Sequence, residues 1–249
     1  MTVEVGSAVL IRHPEGMTSL RRVTEPHDPV IRAFGTLQSS AYFEPDMLIP
    51  ASYIARLLEW QTPERKNFLL VAEDAALLRG GTVFHLFADL NVGFSSFLAV
   101  AQEARGQGLA RRLHDARFQL LDEAAGQPVL GVFIDVVNPE RLSPADFEAE
   151  AAVGSDPFER RRVFGRLGFG QVDIRYEQPV GGPGGGPVTN MDLLFCPRQP
   201  LTSLPTDLVA DTMRTYWTPW LGEERARRHA RELAGRAGSA RELRLLPPV

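Results

Sequence analysis

The chain has 249 residues, of which 44% are hydrophobic and 23% are charged, as expected for one globular domain with an appendage or for two small domains. Its formal net charge of −4 gives it no general attraction to nucleic acid or to an anionic membrane. No apolar run approaches the length of a membrane span, and the first residues lack the pattern of a secretion signal. With a single cysteine, Cys196, the sequence predicts a soluble cytoplasmic protein that has no internal disulfide and needs no metal.

The first 100 residues predict helices followed by an antiparallel meander. Residues 1–29 are irregular in pattern, with an edge strand within 1–11. Residues 30–60 predict two helical pieces that are interrupted around Pro45 and Pro50. Three apolar segments joined by short turns then predict three strands, at residues 68–73, 81–87 and 92–101.

The most informative segment follows the third of these strands. Its polar turn, Arg105-Gly106-Gln107-Gly108, opens a helix whose apolar stripe is formed by Leu109, Leu113, Ala116 and Leu120. A glycine-containing loop at a helix start presents free backbone N–H groups at the positive end of the helix dipole. The segment therefore predicts a cradle for a pyrophosphate, with the positive charge of Arg105 beside it.

Two common phosphate-binding loops do not fit this segment. The Gly-Lys-Ser/Thr sequence that a nucleotide triphosphatase needs does not follow the loop. The glycines lack the G-x-G-x-x-G spacing, and no early strand-turn-helix unit contains them, so a dinucleotide-binding fold is not favoured.

Downstream of the loop, apolar periodicity and turn residues predict alternating helices and strands. Asp156 and Pro157 have the pattern of a helix N-cap followed by proline at the first helical position. Residues 181–187 consist only of glycine and proline and predict a loop. The predicted helices are 109–125, 158–167 and two within 204–244 that break near Pro219; the predicted strands are 129–137, 169–176 and 190–195.

The motif Arg-x-x-Gly-x-Ala, formed by Arg105, Gly108 and Ala110, resembles the acyl-CoA-binding motif of the GNAT acetyltransferase superfamily. Residues 68–83 are similar to the second and third strands of this family, and residues 163–169 to its Leu-Tyr-x-x-Leu-Gly-Phe segment. The resemblance covers residues 3–197. It implies an α/β (α+β) GNAT-like domain at residues 1–200, with a mixed, mostly antiparallel sheet, flanking helices and two splayed central parallel strands. A C-terminal helical extension is predicted for residues 201–249.

The same resemblance implies that acetyl-CoA, or free coenzyme A, binds as a co-substrate. The pantetheine arm and thioester would lie between strands 96–101 and 129–137, against the backbone of Leu98, Ala99 and Val100. The pyrophosphate would be held by backbone N–H groups of Arg105, Gly106, Gln107, Gly108, Leu109 and Ala110. A fixed N–H group near the thioester oxygen stabilises the charge of the transition state, typically by about 3 kcal/mol per donor.

The chain departs from the family where proton transfer is concerned. Phe164 stands where many GNAT enzymes carry the tyrosine that protonates the leaving thiolate, and Tyr176 is the substitute that we predict. The strand before the coenzyme loop has no carboxylate, so His85, whose imidazole titrates near neutral pH, is the predicted general base. Asp89, Glu103 or a chain of water molecules are alternatives, and a structural role is the alternative for both His85 and Tyr176.

Three further features bear on the acceptor and on partners. The acidic residues of the insertion 138–157 form either a site for a cationic amine or a solvated helical face. The loop 181–187 is either a lid or a long hairpin. The arginine-rich tail, whose charges are offset by glutamates, favours intramolecular docking or a homodimer contact through its aromatic residues over nucleic-acid binding.

The sequence thus predicts an N-acetyltransferase that moves an acetyl group from acetyl-CoA to the primary amine of a small molecule, by direct attack in a ternary complex. Two alternatives stay open. One is a transferase for a longer acyl group or for an oxygen acceptor. The other is a non-catalytic acyl-CoA-binding or regulatory module, which the missing acid and base favour.

Overall fold

A computed structural model describes residues 18–43, 47–75, 77–180 and 186–248. Within these residues, nine strands form a sheet in the order β1-β2-β3-β4-β5-β7-β6-β9-β8. All neighbouring strands run antiparallel except β4 and β5, which are parallel. The strands are β1 (Ser19–Val23), β2 (Arg65–Asp74), β3 (Leu77–Phe87), β4 (Val92–Val100), β5 (Gly131–Val137), β6 (Gly170–Val172), β7 (Met191–Pro197), β8 (Ser203–Pro205) and β9 (Glu242–Leu246).

Seven helices of the described residues flank this sheet. Asp156 caps the fifth, because its carboxylate accepts from the backbone N–H groups of Phe158 and Glu159, and Pro157 is the first helical residue, as predicted. The helices are α1 (Val30–Ala41), α2 (Ala51–Glu59), α3 (Leu109–Ala125), α4 (Pro144–Ala152), α5 (Pro157–Arg166), α6 (Thr206–Leu221) and α7 (Glu223–Arg236). The mixed sheet with flanking helices confirms the predicted fold class.

The predicted meander is formed by β2, β3 and β4. Between β3 and β4, Val83 pairs with Phe97 and Phe84 pairs with Ser95, so Ser96 has no partner on β3. Such a β-bulge bends the strand and changes the direction of its side chains. The edge strand predicted within residues 1–11 lies outside the described residues, whereas β1, which pairs with β2, falls in a stretch that we predicted to be irregular.

The two parallel strands separate immediately before this bulge. β4 and β5 pair at only two positions, Gly93 with Val132 and Phe94 with Phe133. Beyond them, β5 continues to pair with β7 along its whole length. The backbone of residues 95–100 on the β5 side therefore has no strand partner, and the predicted wedge between splayed strands is present.

The C-terminal part of the chain adds strands as well as helices. Besides the two predicted helices, residues 201–249 contain strands that the sequence did not predict: Glu242–Leu246 forms β9, which pairs with both β6 and β8. Helix-forming arginines and glutamates precede this segment, so the sequence pattern favoured a helix there. The strand itself shows only a short alternation of buried and exposed residues, in which Leu243 is buried between exposed neighbours. The strand predicted over 169–176 is likewise shorter, since β6 ends at Val172.

The break between the two helices lies near Pro219, as predicted, but just after it, at Gly222. α6 continues through Pro219 and ends before Gly222, whose φ is +78°. Proline has no N–H group, so the helix cannot satisfy the carbonyl of Thr215, four residues earlier. The guanidinium Nη1 of Arg65 donates to that carbonyl instead, at 2.9 Å. A tertiary contact thus allows the proline to lie inside the helix.

Two apolar clusters lie on the two faces of the sheet. The first joins β1–β4 to α1, α2 and α3, and the second joins β5, β7 and the ends of β3 and β4 to α6 and α7. Alternation along β5 places Ile134 in the first cluster and Phe133 and Val137 in the second. Asp135 therefore faces α6. Whether residues 201–249 form a separate unit stays a prediction, as does the division at residue 200.

Candidate functional site

The predicted pyrophosphate cradle is formed by residues 105–108 and the first turn of α3. Gly106 and Gly108 have φ angles of +76° and +74°, a left-handed conformation that costs other residues about 1–2 kcal/mol. A side-chain carbon on either glycine would meet no atom within 4 Å. Among the described residues, no acceptor binds the backbone N–H groups of residues 106–110. These groups are available to an anion at the positive end of the helix dipole.

This loop borders a cavity of about 690 Å³, which we call the loop cavity. Arg105 fixes the loop, because its guanidinium donates to the carbonyls of Val100 at 3.4 Å and Gly154 at 2.5 Å. The opposite wall is α5, including Arg160 and Phe164. Of the predicted coenzyme-binding residues, Gln107 does not line the cavity; those that line it are Leu98, Ala99, Val100, Arg105, Gly106, Gly108, Leu109 and Ala110.

A second, smaller cavity of about 110 Å³, the wedge cavity, lies where β4 and β5 separate. It shares four lining residues with the loop cavity, namely Ala41, Leu98, Arg160 and Phe164. Phe164 packs edge-on against Phe169, with ring centroids 5.5 Å apart, and its phenyl ring has no proton to donate. The polar residues that line the wedge cavity are Tyr42, Ser95, Ser96, Asp135 and Arg160, and the others are apolar.

The third cavity, of about 460 Å³, lies beneath α6, and we call it the α6 cavity. It shares Met47, Ser96 and Asp135 with the wedge cavity. The loop cavity, the wedge cavity and the α6 cavity therefore form a continuous row in that order. Its walls come from α2, β2, β3, β4, β5 and α6. The C-terminal helix α6 contributes Tyr216 and Trp220, whose rings meet edge-on at 4.8 Å.

His85, the predicted base, lines the α6 cavity but is almost completely buried. Its Nδ1 lies 2.7 Å from Asn67 Oδ1, and its Nε2 lies 2.7 Å from Ser96 Oγ. Because Asn67 Oδ1 also accepts from Arg65 Nε, Nδ1 donates to it and Nε2 accepts from the Ser96 hydroxyl. Burial, and then the positive charge of Arg65, lower the pKa of His85 well below 6.5, so the ring is neutral.

Tyr176, the predicted acid, is fully buried and lines none of the three cavities. Its hydroxyl lies 3.0 Å from Asp135 Oδ2 and also contacts Gln178 Oε1, which accepts from Trp217 Nε1 at 3.0 Å. Burial raises the pKa of Tyr176 well above 10. The geometry therefore places Tyr176 behind Asp135, where it orients that carboxylate.

Asp135 is the functional candidate that the sequence reasoning missed. It lines both the wedge cavity and the α6 cavity. Burial raises the pKa of its carboxyl to about 6, although the hydrogen bond from Tyr176 opposes this shift. The signal was present in the sequence, because Asp135 is the one charged residue in the otherwise apolar segment 129–137, and a buried charge in such a strand is costly.

The remaining candidates lie elsewhere. Asp89 is exposed in the short turn after β3, and Glu103 is exposed and pairs with Arg79 at 3.3 Å. In the insertion, Glu150 is buried and paired with Arg160 rather than open to a ligand. Burial raises the pKa of the Cys196 thiol to about 11, which makes it a poor nucleophile. The part of the chain that the structure describes contains no cluster of side chains suited to a metal ion and no helix able to cross a membrane.

Neither a protein-family model nor a curated protein matches this chain. Among solved structures, it is similar to a protein assigned to the GNAT family of acetyltransferases from Bacteroides thetaiotaomicron, with a TM-score of 0.55 and 13% identity over 82% of this chain and 98% of that one.

Two other similarities are weaker. Ard1 from Thermoplasma volcanium has a TM-score of 0.48, with 17% identity over 72% of this chain and 95% of that one. A GNAT family acetyltransferase from Elizabethkingia anophelis, with acetyl-CoA bound, has a TM-score of 0.45, with 17% identity over 74% and 99%. The likeness to the Bacteroides thetaiotaomicron protein, at 13% identity, establishes the fold alone.

Proposed function

We propose that this chain, which has the GNAT fold, is an acyltransferase that moves an acetyl group from acetyl-CoA to the primary amine of a small molecule. The observation that carries the proposal is the row of three adjoining cavities. An anion cradle opens into the loop cavity, the loop cavity meets the wedge between β4 and β5, and the wedge meets the α6 cavity at Ser96 and Asp135. A long donor and a small acceptor can therefore approach each other from opposite sides.

The residues present fit coenzyme A. The open N–H groups of residues 106–110 suit a pyrophosphate, and the wall formed by Leu98, Ala99 and Val100 suits an extended pantetheine arm, because their backbone lacks a partner on β5. When bound, acetyl-CoA supplies an activated thioester. A backbone N–H group of residues 95–100 that points into the wedge would stabilise negative charge on the thioester oxygen, by about 3 kcal/mol.

We assign proton acceptance to Asp135 rather than to His85. Both ring nitrogens of His85 are engaged, and its lowered pKa makes it a weak base. Asp135 lies where the wedge cavity and the α6 cavity meet, and a pKa of about 6 leaves it ionised yet basic enough to act near neutral pH. His85 then acts as a positioning residue that holds the Ser96 hydroxyl.

The Asp135 carboxylate can account for both proton transfers of the reaction. As the new C–N bond forms and the C–S bond breaks, Asp135 takes the proton of the attacking amine. Because it also borders the wedge, the carboxylic acid can then return this proton to the departing sulfur. A thiolate is a tolerable leaving group, since thiol pKa values near 8.5 lie far below those of alcohols, so Phe164 in place of tyrosine is compatible with turnover.

The test has two stages. Calorimetric titration with acetyl-CoA and coenzyme A measures whether the cradle binds, and we expect micromolar dissociation constants. A panel of primary amines, followed by thiol release, then measures transfer. No binding at millimolar ligand would overturn the coenzyme assignment. Tight binding without turnover of any amine would instead favour a non-catalytic acyl-CoA-binding module, the second candidate, which Phe164 and the buried position of Tyr176 favour.

A further inference from the structure

Arg65, which lines the α6 cavity, is a buried cation that pairs with no carboxylate among the described residues. The side chain is only 6% exposed. Its Nε donates to Asn67 Oδ1 at 3.0 Å and its Nη1 to the Thr215 carbonyl, while Nη2 donates to no described residue. The rings of Phe87 and Trp60 lie 5.2 Å and 5.6 Å from the guanidinium carbon. A buried charge that only neutral groups compensate is costly unless a ligand completes its shell.

A second polar group with unused hydrogen-bonding capacity lies in the same wall. The hydroxyl of Tyr53 is buried, and it forms no hydrogen bond with any residue that the structure describes. Arg56, one helical turn later, lies over the Tyr53 ring at 5.1 Å, is exposed, and forms no ion pair with a described residue. The positive charges of Arg65 and Arg56 both act on the Tyr53 phenol. This wall therefore combines two cations with an unsatisfied hydroxyl donor.

A negatively charged group, the carboxylate of Asp135, lies at the other end of the α6 cavity. Asp135 contacts Tyr176, and it forms neither a hydrogen bond nor an ion pair with Arg65. Tyr216 lines the same cavity and is near enough to Asp135 and Arg65 for both charges to act on its phenol, with opposite sign. The α6 cavity is thus anionic where it meets the wedge and cationic beneath α2 and α6.

We propose that the acceptor is a zwitterion, an amine that also carries a carboxylate, with its amine at Asp135 and its carboxylate at Arg65, Arg56 and Tyr53. A guanidinium matches the geometry of a carboxylate, and hydrogen bonds to charged groups are roughly twice as strong as neutral ones. This inference rests on the proposed function for the identity of the amine end. The carboxylate end follows from the polarity of the cavity alone.

The experiment compares ω-amino acids from glycine to 6-aminohexanoate with unbranched alkylamines of matched length. Each compound is titrated calorimetrically into the protein in the presence of coenzyme A, and thiol release from acetyl-CoA is measured separately. We expect at least one amino acid to bind tenfold or more tightly than its alkylamine, and the optimal length to report the span between the two ends. Equal or weaker binding of every amino acid would overturn the proposal. A phosphonate analogue of the best amino acid tests whether the subsite takes anions of other shape.

Three variants locate the carboxylate end. Tyr53→Phe removes only a hydroxyl that has no described partner, and Arg56→Gln removes the charge of an exposed side chain. Arg65→Lys keeps the positive charge but loses the planar guanidinium that can bind both oxygens of a carboxylate. We expect Tyr53→Phe and Arg56→Gln each to weaken binding of the amino acid about 5- to 30-fold while leaving binding of the alkylamine and of coenzyme A unchanged. Arg65→Lys also loses the contact with Thr215, so for this variant the readout is the ratio of the two affinities, which should fall by a similar factor. Arg32→Gln, an exposed arginine of α1 that does not line the cavity, is the matched control. An amino-acid preference that persists in all three variants would also overturn the proposal.

These readouts separate the two hypotheses. Should no amine release thiol, the proposed transfer fails, yet the binding ratios still decide the carboxylate subsite. Should amines react without preference for a carboxylate, the transfer stands and the zwitterion fails.

Discussion

The loop cavity and the α6 cavity are built by the chain in opposite ways. The loop cavity takes its anion-binding groups from the backbone of one short stretch, residues 105–110. The α6 cavity takes side chains from six elements, and one of its contacts, Arg65 with Thr215, joins residues 150 positions apart. The first depends on conformation and tolerates few changes at its glycines. The second depends on which side chains meet, so it can change its ligand without changing the fold.

The largest effect is expected from a substitution in the loop that borders the loop cavity. Gly108→Glu would place a carboxylate against the bound pyrophosphate, and we expect at least a hundredfold loss of coenzyme A affinity in calorimetric titration. Gly126→Glu is the matched control, because Gly126 has a similar φ of +70°, is equally open, and lies at the other end of α3. Equal losses in both variants would mean that backbone strain, rather than charge at the cradle, is responsible.

The next effect concerns the boundary between the two cavities. Asp135→Asn keeps an acceptor for Tyr176 but removes the base, so we expect kcat/KM to fall by about 10²- to 10³-fold with coenzyme A affinity unchanged. In the wild type, kcat/KM should rise with pH through about 6, as Asp135 loses its proton. This inflection should vanish in the variant, and its persistence in pH–rate profiles would assign the base to another group.

Asp135→Asn, which we expect to lower activity, should raise the free energy of unfolding. Burial raises the pKa of Asp135 from 3.8 to about 6, so the folded state holds this proton more tightly than the unfolded state. That stabilisation is complete below about pH 4 and is lost as the pH rises through about 6. Urea unfolding should therefore show Asp135→Asn to be more stable than the wild type by up to about 3 kcal/mol at pH 8. The difference should disappear below pH 4, and an equal difference at both pH values would contradict this account.

The smallest effect tests whether helix α6 serves only the α6 cavity. Tyr216 stacks on Phe94 with ring centroids 3.6 Å apart, and Tyr216→Phe preserves this packing. Loss of the hydroxyl beside Ser96 should lower kcat/KM for the amine about tenfold, equivalent to about 1.4 kcal/mol, and leave the dissociation constant of coenzyme A unchanged. Thiol release measures kcat/KM for the amine, and isothermal titration measures the dissociation constant of coenzyme A. A parallel loss of coenzyme A affinity would show that the cavities are not independent.

The sequence predicted the features that depend on local patterns, as the loop cavity does, and missed those that depend on distant side chains, as the α6 cavity does. The meander, the loop and α3 were predictable, because alternation, glycine spacing and helical periodicity are local patterns. The carboxylate of Asp135 was visible as a charge in an apolar strand, but which face it occupies depends on the splay of β4 and β5. Its neighbours on the opposite wall, Arg65 and Tyr216, carry no local sign of a shared cavity, since only tertiary pairing brings α2, β2 and α6 together.

The C-terminal strand shows a different limit of local patterns. β9 follows a run of helix-forming residues, and its five residues are too few for alternation to outweigh that propensity. Pro219 marked the region of the helix break, but α6 continues past this residue to Leu221, because a proline inside a helix is tolerated when another donor serves the freed carbonyl. That donor, Arg65, lies far away in sequence, so only the tertiary contact explains why the helix does not end at the proline.

The placement of the tryptophans gives this protein a built-in optical signal. The chain has three, and each touches or forms the wall of the α6 cavity: Trp60 lies over Arg65, Trp217 donates to Gln178, and Trp220 lines the cavity itself. None lines the loop cavity. Intrinsic fluorescence should therefore respond to the small acceptor and stay nearly silent to coenzyme A, so an unlabelled sample can be screened against compound libraries by emission alone.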